Sequence, residues 1–87
     1  MPKLNRDLIR GWLEDHNWTV ARLTAECNAM GEDTFSEGTV RNAVNGIDPM
    51  RPRRIKVICK VLAKYGDGVL YDRLVERPTD IAQATMQ

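Results

Sequence analysis

No apolar run in the 87 residues approaches the roughly 18 that a bilayer-crossing helix needs, so a membrane protein is not expected. Cysteine is scarce. Cys27 and Cys59 stand far apart, each within an apolar helical pattern. Small secreted domains lean on frameworks of four or more cysteines, so reduced, buried thiols in a cytosol are the expectation, with a disulfide left open. The opening Met-Pro-Lys-Leu-Asn-Arg-Asp lacks the apolar stretch of a signal peptide, and a cytoplasmic location follows as the expectation. The one histidine, His16, has no nucleophile partner, and with the two cysteines it lacks zinc-ligand spacing. There is no phosphate-cradling glycine loop and no carboxylate pair on an apolar wall. The residues therefore predict no enzyme, metal, cofactor or small-molecule substrate.

Net charge is small as well, at +1 from 13 basic and 12 acidic residues. Its distribution is uneven. Residues 1–48 carry five basic and eight acidic side chains. Residues 49–66 hold Arg51, Arg53, Arg54, Lys56, Lys60 and Lys64 without one acid. Residues 67–87 return to an acidic excess, with two basic and four acidic. A segregated positive patch suits a polyanion approaching one face.

A hydrophobic content of 43% and a charged content of 29% fit a folded domain, small enough to bury about 60–65% of its unfolded surface. Sustained period-2 alternation is missing, so no strand is expected and the fold class is all-α. Asn5 caps a first helix to Asp15, with Leu4, Leu8, Ile9, Trp12 and Leu13 as its stripe and Gly11 permitting a close helix contact. Thr19 caps a second, with Trp18 stapling onto Leu23, and Gly31 stops it. Residues 31–35 form a polar turn. Ser36 caps a third helix, with Phe35 stapling onto Val40; Val40, Ala43 and Val44 face inward, and Asn45-Gly46 ends it.

Pro52 opens a fourth helix with Ile55, Ile58, Cys59, Leu62 and Tyr65 on its buried side. A fifth spans about residues 67–76, and Pro78 prevents continuation. Residues 1–76 thus make one compact five-helix domain. Residues 77–87 are a tail in which Ile81, Ala82 and Met86 are docking candidates. Trp12 and Trp18 read as core or staple residues, and His16 as a solvent-exposed helix end.

Two capped helices joined by a turn and followed by a basic segment match a physical requirement. A major groove about 12 Å wide admits one helix, while a second crossing the backbone fixes its angle. Ser36-Glu-Gly-Thr-Val-Arg-Asn-Ala-Val-Asn-Gly46 resembles the recognition helix of the lambda-repressor-like helix-turn-helix family of phage repressors, Cro proteins and bacterial regulators. Arg51-Pro52-Arg53, followed by Ile55, Ile58 and Leu62, resembles the arginine-bearing start of the family's fourth helix. The resemblance covers residues 4–76. One departure is the seventeen positions from Thr19 to Ser36, longer than the family spacing, with Glu32 and Asp33 in the added turn, where they repel phosphate unless turned away.

The resemblance implies a sequence-specific regulator on operator DNA, in the bacterial cytosol or, if phage-encoded, the host's. It places Glu37, Gly38, Thr39 and Asn42 at base edges: Asn42 on adenine, Thr39 on a thymine methyl, Glu37 on cytosine N4, Gly38 as a point of close approach. It places Thr19, Ser36, Arg41, Asn45, Arg51, Arg53, Arg54 and Lys56 along the DNA backbone, with Arg53 near a compressed minor groove. A homodimer on two half-sites is implied, with Val69, Leu70, Tyr71, Leu74 and the tail as candidate contacts. The alternative is a protein-interaction module, such as an antitoxin or anti-regulator.

Overall fold

Three polar side chains start the first three helices, each giving an oxygen to a backbone N–H that has no acceptor within its helix. In the computed structural model, which describes residues 2–76, Asn5 accepts from Leu8 N–H at 3.2 Å ahead of α1 (Arg6–Asp15). Thr19 accepts from Arg22 N–H at 3.1 Å ahead of α2 (Val20–Ala29). Ser36 accepts from Thr39 N–H at 3.2 Å ahead of α3 (Glu37–Val44). The next helix, α4 (Pro52–Lys64), has no side-chain cap; Pro52 at its start has no N–H to satisfy and a φ already suited to a helix. A single turn, α5 (Tyr71–Leu74), follows.

Two helices stop in the same way. Asn17 takes a left-handed φ of 56° after α1, which lets Trp18 N–H reach Leu13 C=O at 2.8 Å and Asn17 N–H reach Glu14 C=O at 3.1 Å. Gly46, at φ 74°, repeats the device after α3, with Ile47 N–H on Asn42 C=O at 2.9 Å and its own N–H on Ala43 C=O at 3.1 Å. Paired bonds of this kind satisfy the last carbonyls and turn the chain sharply.

Helix α3 packs on α2 and α1, and α4 on α2 and α5. Ile9, Leu23, Val40, Val44, Ile55, Ile58, Leu62 and Leu74 are fully buried between them. Helix α4 buries a wider face than its sequence stripe suggests. Val57 and Val61 join the core, whereas Tyr65 stays 37% exposed and Cys59 half-buried. A helix with neighbours on two sides needs that breadth.

The absence of strands expected from periodicity is corrected. The segments flanking the helices form β1 (Lys3–Leu4) and β2 (Val75–Glu76), antiparallel, with Lys3 opposite Glu76 and Leu4 opposite Val75. Two residues are too few to display an alternation. Met50 N–H donates to Pro2 C=O at 2.9 Å and Asn5 N–H to Leu74 C=O at 2.6 Å, tying this ladder to its surroundings. The register buries Leu4 and Val75, worth about 1.5–3 kcal/mol for each side chain taken fully from water.

The fifth helix expected over 67–76 is likewise corrected to one turn. Trp12 Nε1 donates to Asp67 C=O at 2.8 Å, and His16 Nε2 lies 3.0 Å from Asp67 Oδ2. A Cβ on Gly68 would stand 3.3 Å from Ala63, so this stretch lies flat against α4. With Val75 committed to Leu4, Leu70 is left 74% exposed. His16 is no solvent-exposed end either. Its ring stacks on Trp12 at 3.8 Å, and Trp18 meets Trp12 and Tyr65 edge-on at 5.0 and 4.8 Å.

Gly11, expected at a close helix contact, has nothing within 4 Å of where a Cβ would stand; it opens onto a cleft of about 480 Å³ beside Leu8, Leu70 and Arg73. The tail at 77–87, with Ile81, Ala82 and Met86, and the stop at Pro78 lie outside the described residues. Among the described residues the architecture is an all-α domain of five helices with one two-residue ladder, and no helix is long and apolar enough to cross a membrane.

Candidate nucleic-acid interface

The spacing of Val40, Ala43 and Val44 turns one side of α3 into the core. Everything opposite faces out. Glu37, Gly38, Thr39 and Arg41 are exposed, while Asn42 and Asn45 are half-buried at the margins. Ser36 Oγ accepts from Thr39 N–H and also donates to Thr39 Oγ1 at 2.8 Å, which leaves the Thr39 hydroxyl proton for an outside acceptor. Glu37 and Arg41, one helical turn apart, form an ion pair. Asn42 donates one amide N–H to Asp48 Oδ2 at 3.1 Å, so its second N–H and its carbonyl oxygen remain, the donor and acceptor that adenine requires.

Among the backbone-binding candidates, Thr19 and Ser36 spend their oxygens on caps. Asn45 Oδ1 accepts from Arg10 Nη1 at 2.6 Å. Arg10 is a residue that sequence reasoning missed, as is Arg6, whose side chain runs 3.6 Å from where a Cβ on Gly46 would sit. Their signal is the i,i+4 spacing on the polar side of α1, which carries two cations to the C-terminal end of α3.

The basic segment is divided by its partners. Arg51 and Lys56 are exposed, with no acidic partner among the described residues. Arg53 Nη2 donates to Glu32 C=O at 3.3 Å. Arg54 Nε meets Asp33 Oδ2 at 3.2 Å, and its guanidinium lies 5.5 Å from the Phe35 ring centre. Lys60 Nζ reaches both oxygens of Glu32, at 2.8 and 3.0 Å. The Thr34 N–H, and after it the Arg54 guanidinium, hold the Asp33 carboxyl below the ordinary carboxylate range.

Asn28 secures the same turn from α2, accepting from Phe35 N–H at 2.7 Å and donating to Phe35 C=O at 2.9 Å. The first turn of α4 therefore abuts the residues that lead into Ser36. The acids of the long turn face α4's cations.

Of the candidate self-association residues, Leu74 is wholly buried and unavailable, because α5 points it into the core; Val69 and Tyr71 are half-buried and Leu70 exposed. Both thiols are free. Burial pushes Cys27 up to about 12 and raises Cys59 as well. No group of three His, Cys, Asp or Glu among the described residues is placed to hold a metal. No family model, curated protein or solved structure matches this chain.

Proposed function

We propose that the protein is a sequence-specific double-stranded-DNA-binding regulator of the lambda-repressor-like helix-turn-helix kind, inserting α3 into the major groove of an operator. One observation carries the reading. The outward side of α3 is small and polar at its N-terminal end, and the arginine-bearing first turn of α4 abuts the turn that precedes it. Glu37, Gly38, Thr39 and Asn42 read bases. Arg41, Asn45, Arg51, Arg53 and Lys56 bind the backbone, with the amides behind Thr19 and Ser36; Arg54 joins them where Asp33 releases it. One module makes few contacts, so the protein acts as a homodimer on half-sites about one helical turn apart, repressing by occupancy rather than by catalysis.

Mobility shift against random duplex at two salt concentrations tests the reading, since log affinity falls with log salt by roughly 0.9 per neutralised phosphate. Arg53→Ala weakens binding to most sequences and flattens that slope; Asn42→Ala relaxes preference at one base position. A second reading, a protein-interaction module such as an antitoxin or anti-regulator, is favoured by the exposure of Leu70 (74%) and Ile47 (60%). It prevails if both substitutions leave DNA affinity unchanged while a protein partner is lost.

A further inference from the structure

Arg53, Lys56 and Lys60 recur at i, i+3 and i+7, so they form one stripe along the solvent side of α4. Glu32 lies across that stripe, its carboxylate on Lys60 and its carbonyl on Arg53, while Asp33 holds Arg54 beside it. These contacts span 21 to 28 residues of sequence and are built by a turn that Asn28 fixes in place.

Sequence-independent attraction to duplex comes from cations that displace counterions from phosphate. A cation already held by a carboxylate on its own chain contributes little to that count, and the carboxylate repels the phosphate that would replace it. Base readout by α3 is untouched, because Glu32 and Asp33 precede its cap.

We propose that Glu32 and Asp33 are a pair of acids that hold Lys60 and Arg54 back from phosphate and so set how weakly the protein binds random duplex. The inference rests on the DNA-binding reading above.

The test compares wild type with the charge-neutral double substitution Glu32→Gln/Asp33→Asn in salt titrations against random duplex. A second double substitution, Glu14→Gln/Asp15→Asn on α1, adds the same net charge elsewhere. Freeing two cations steepens the log–log salt slope by roughly 1.8 and tightens random-duplex binding by about tenfold or more near 0.1 M salt. The α1 control moves it far less.

Lys60→Gln supplies a second readout through a double-mutant cycle, which isolates the coupling. It costs less in wild type, where Glu32 already holds the ammonium, than in the Glu32→Gln background, where the ammonium is free to meet phosphate. Equal slopes for the two double substitutions, or a Lys60 effect independent of Glu32, overturn the proposal. If wild type itself binds no duplex at low salt, the DNA-binding reading fails first, and the two failures are distinct. Circular dichroism of each variant establishes that the fold survives, and the control and the cycle are read on folded protein.

Discussion

Two glycines inside helices separate the stability of α3 from its proposed work. Neither Gly11 nor Gly38 has any atom within 4 Å of a Cβ position, and neither takes a positive φ. Each gives up backbone entropy that alanine would not, a difference of about 0.8–1 kcal/mol in a helix interior. Gly11 is the sixth of ten residues in α1, so Gly11→Ala realises most of it, and a domain of this size converts about 1 kcal/mol into a 4–8 °C rise in Tm. Gly38 is the second residue of α3, where propensity counts for less, so about half that rise is expected.

DNA affinity divides them. Gly11→Ala leaves it unchanged. Gly38→Ala sets a methyl group on the side that meets base edges and weakens operator binding by about tenfold, the scale of one lost base contact. Calorimetry and fluorescence anisotropy on the same preparations report both quantities. A lower Tm for Gly11→Ala refutes the open-space reasoning, and unchanged affinity for Gly38→Ala removes Gly38 from the interface.

Three further outcomes follow from the same geometry. Asn28→Ala leaves the N–H and C=O of buried Phe35 without their partners, which costs about 1–3 kcal/mol and appears as a lower Tm and faster hydrogen exchange at Phe35. The Asp33 carboxyl titrates lower in the folded chain than in the unfolded one, so its contribution is present at neutral pH and lost as pH falls past the ordinary carboxylate range and through its lower folded value. The stability gap between wild type and Asp33→Asn accordingly closes in acid; a gap constant from pH 7 to pH 2 contradicts the assignment. Cys27, with its thiol pushed up to about 12, resists a thiol reagent at pH 8 until denaturant unfolds the chain, and labelling in the native state refutes its burial.

The elements legible in the sequence are those whose causes lie within a few residues. Asn5, Thr19 and Ser36 each accept from the N–H three positions on, which a short window reveals. What escapes is set by distant partners. Val69, Leu70, Leu74 and Val75 show helical spacing, yet Val75 pairs with Leu4 more than seventy residues earlier, and the helix gives way. The count of six cations in residues 49–66 is correct by segment. It misleads as a field, because the carboxylates of Glu32 and Asp33 come from another part of the chain to sit on two of them, Lys60 and Arg54. Asn17 escapes for a different reason, since its left-handed backbone leaves no mark in hydrophobic periodicity.

The pairing of Leu4 with Val75 also bears on how the chain is made. Leu4 is made early and Val75 more than seventy residues later, so until Val75 appears β1 has α3 to pack on but no strand to pair with. Local helix formation takes microseconds or less, whereas joining positions this far apart carries a loop-closure penalty and awaits the last turn. A stalled or truncated product ending before Val75 would therefore lack the ladder and keep Leu4 less covered than the full chain does, an opening that a chaperone or protease could use.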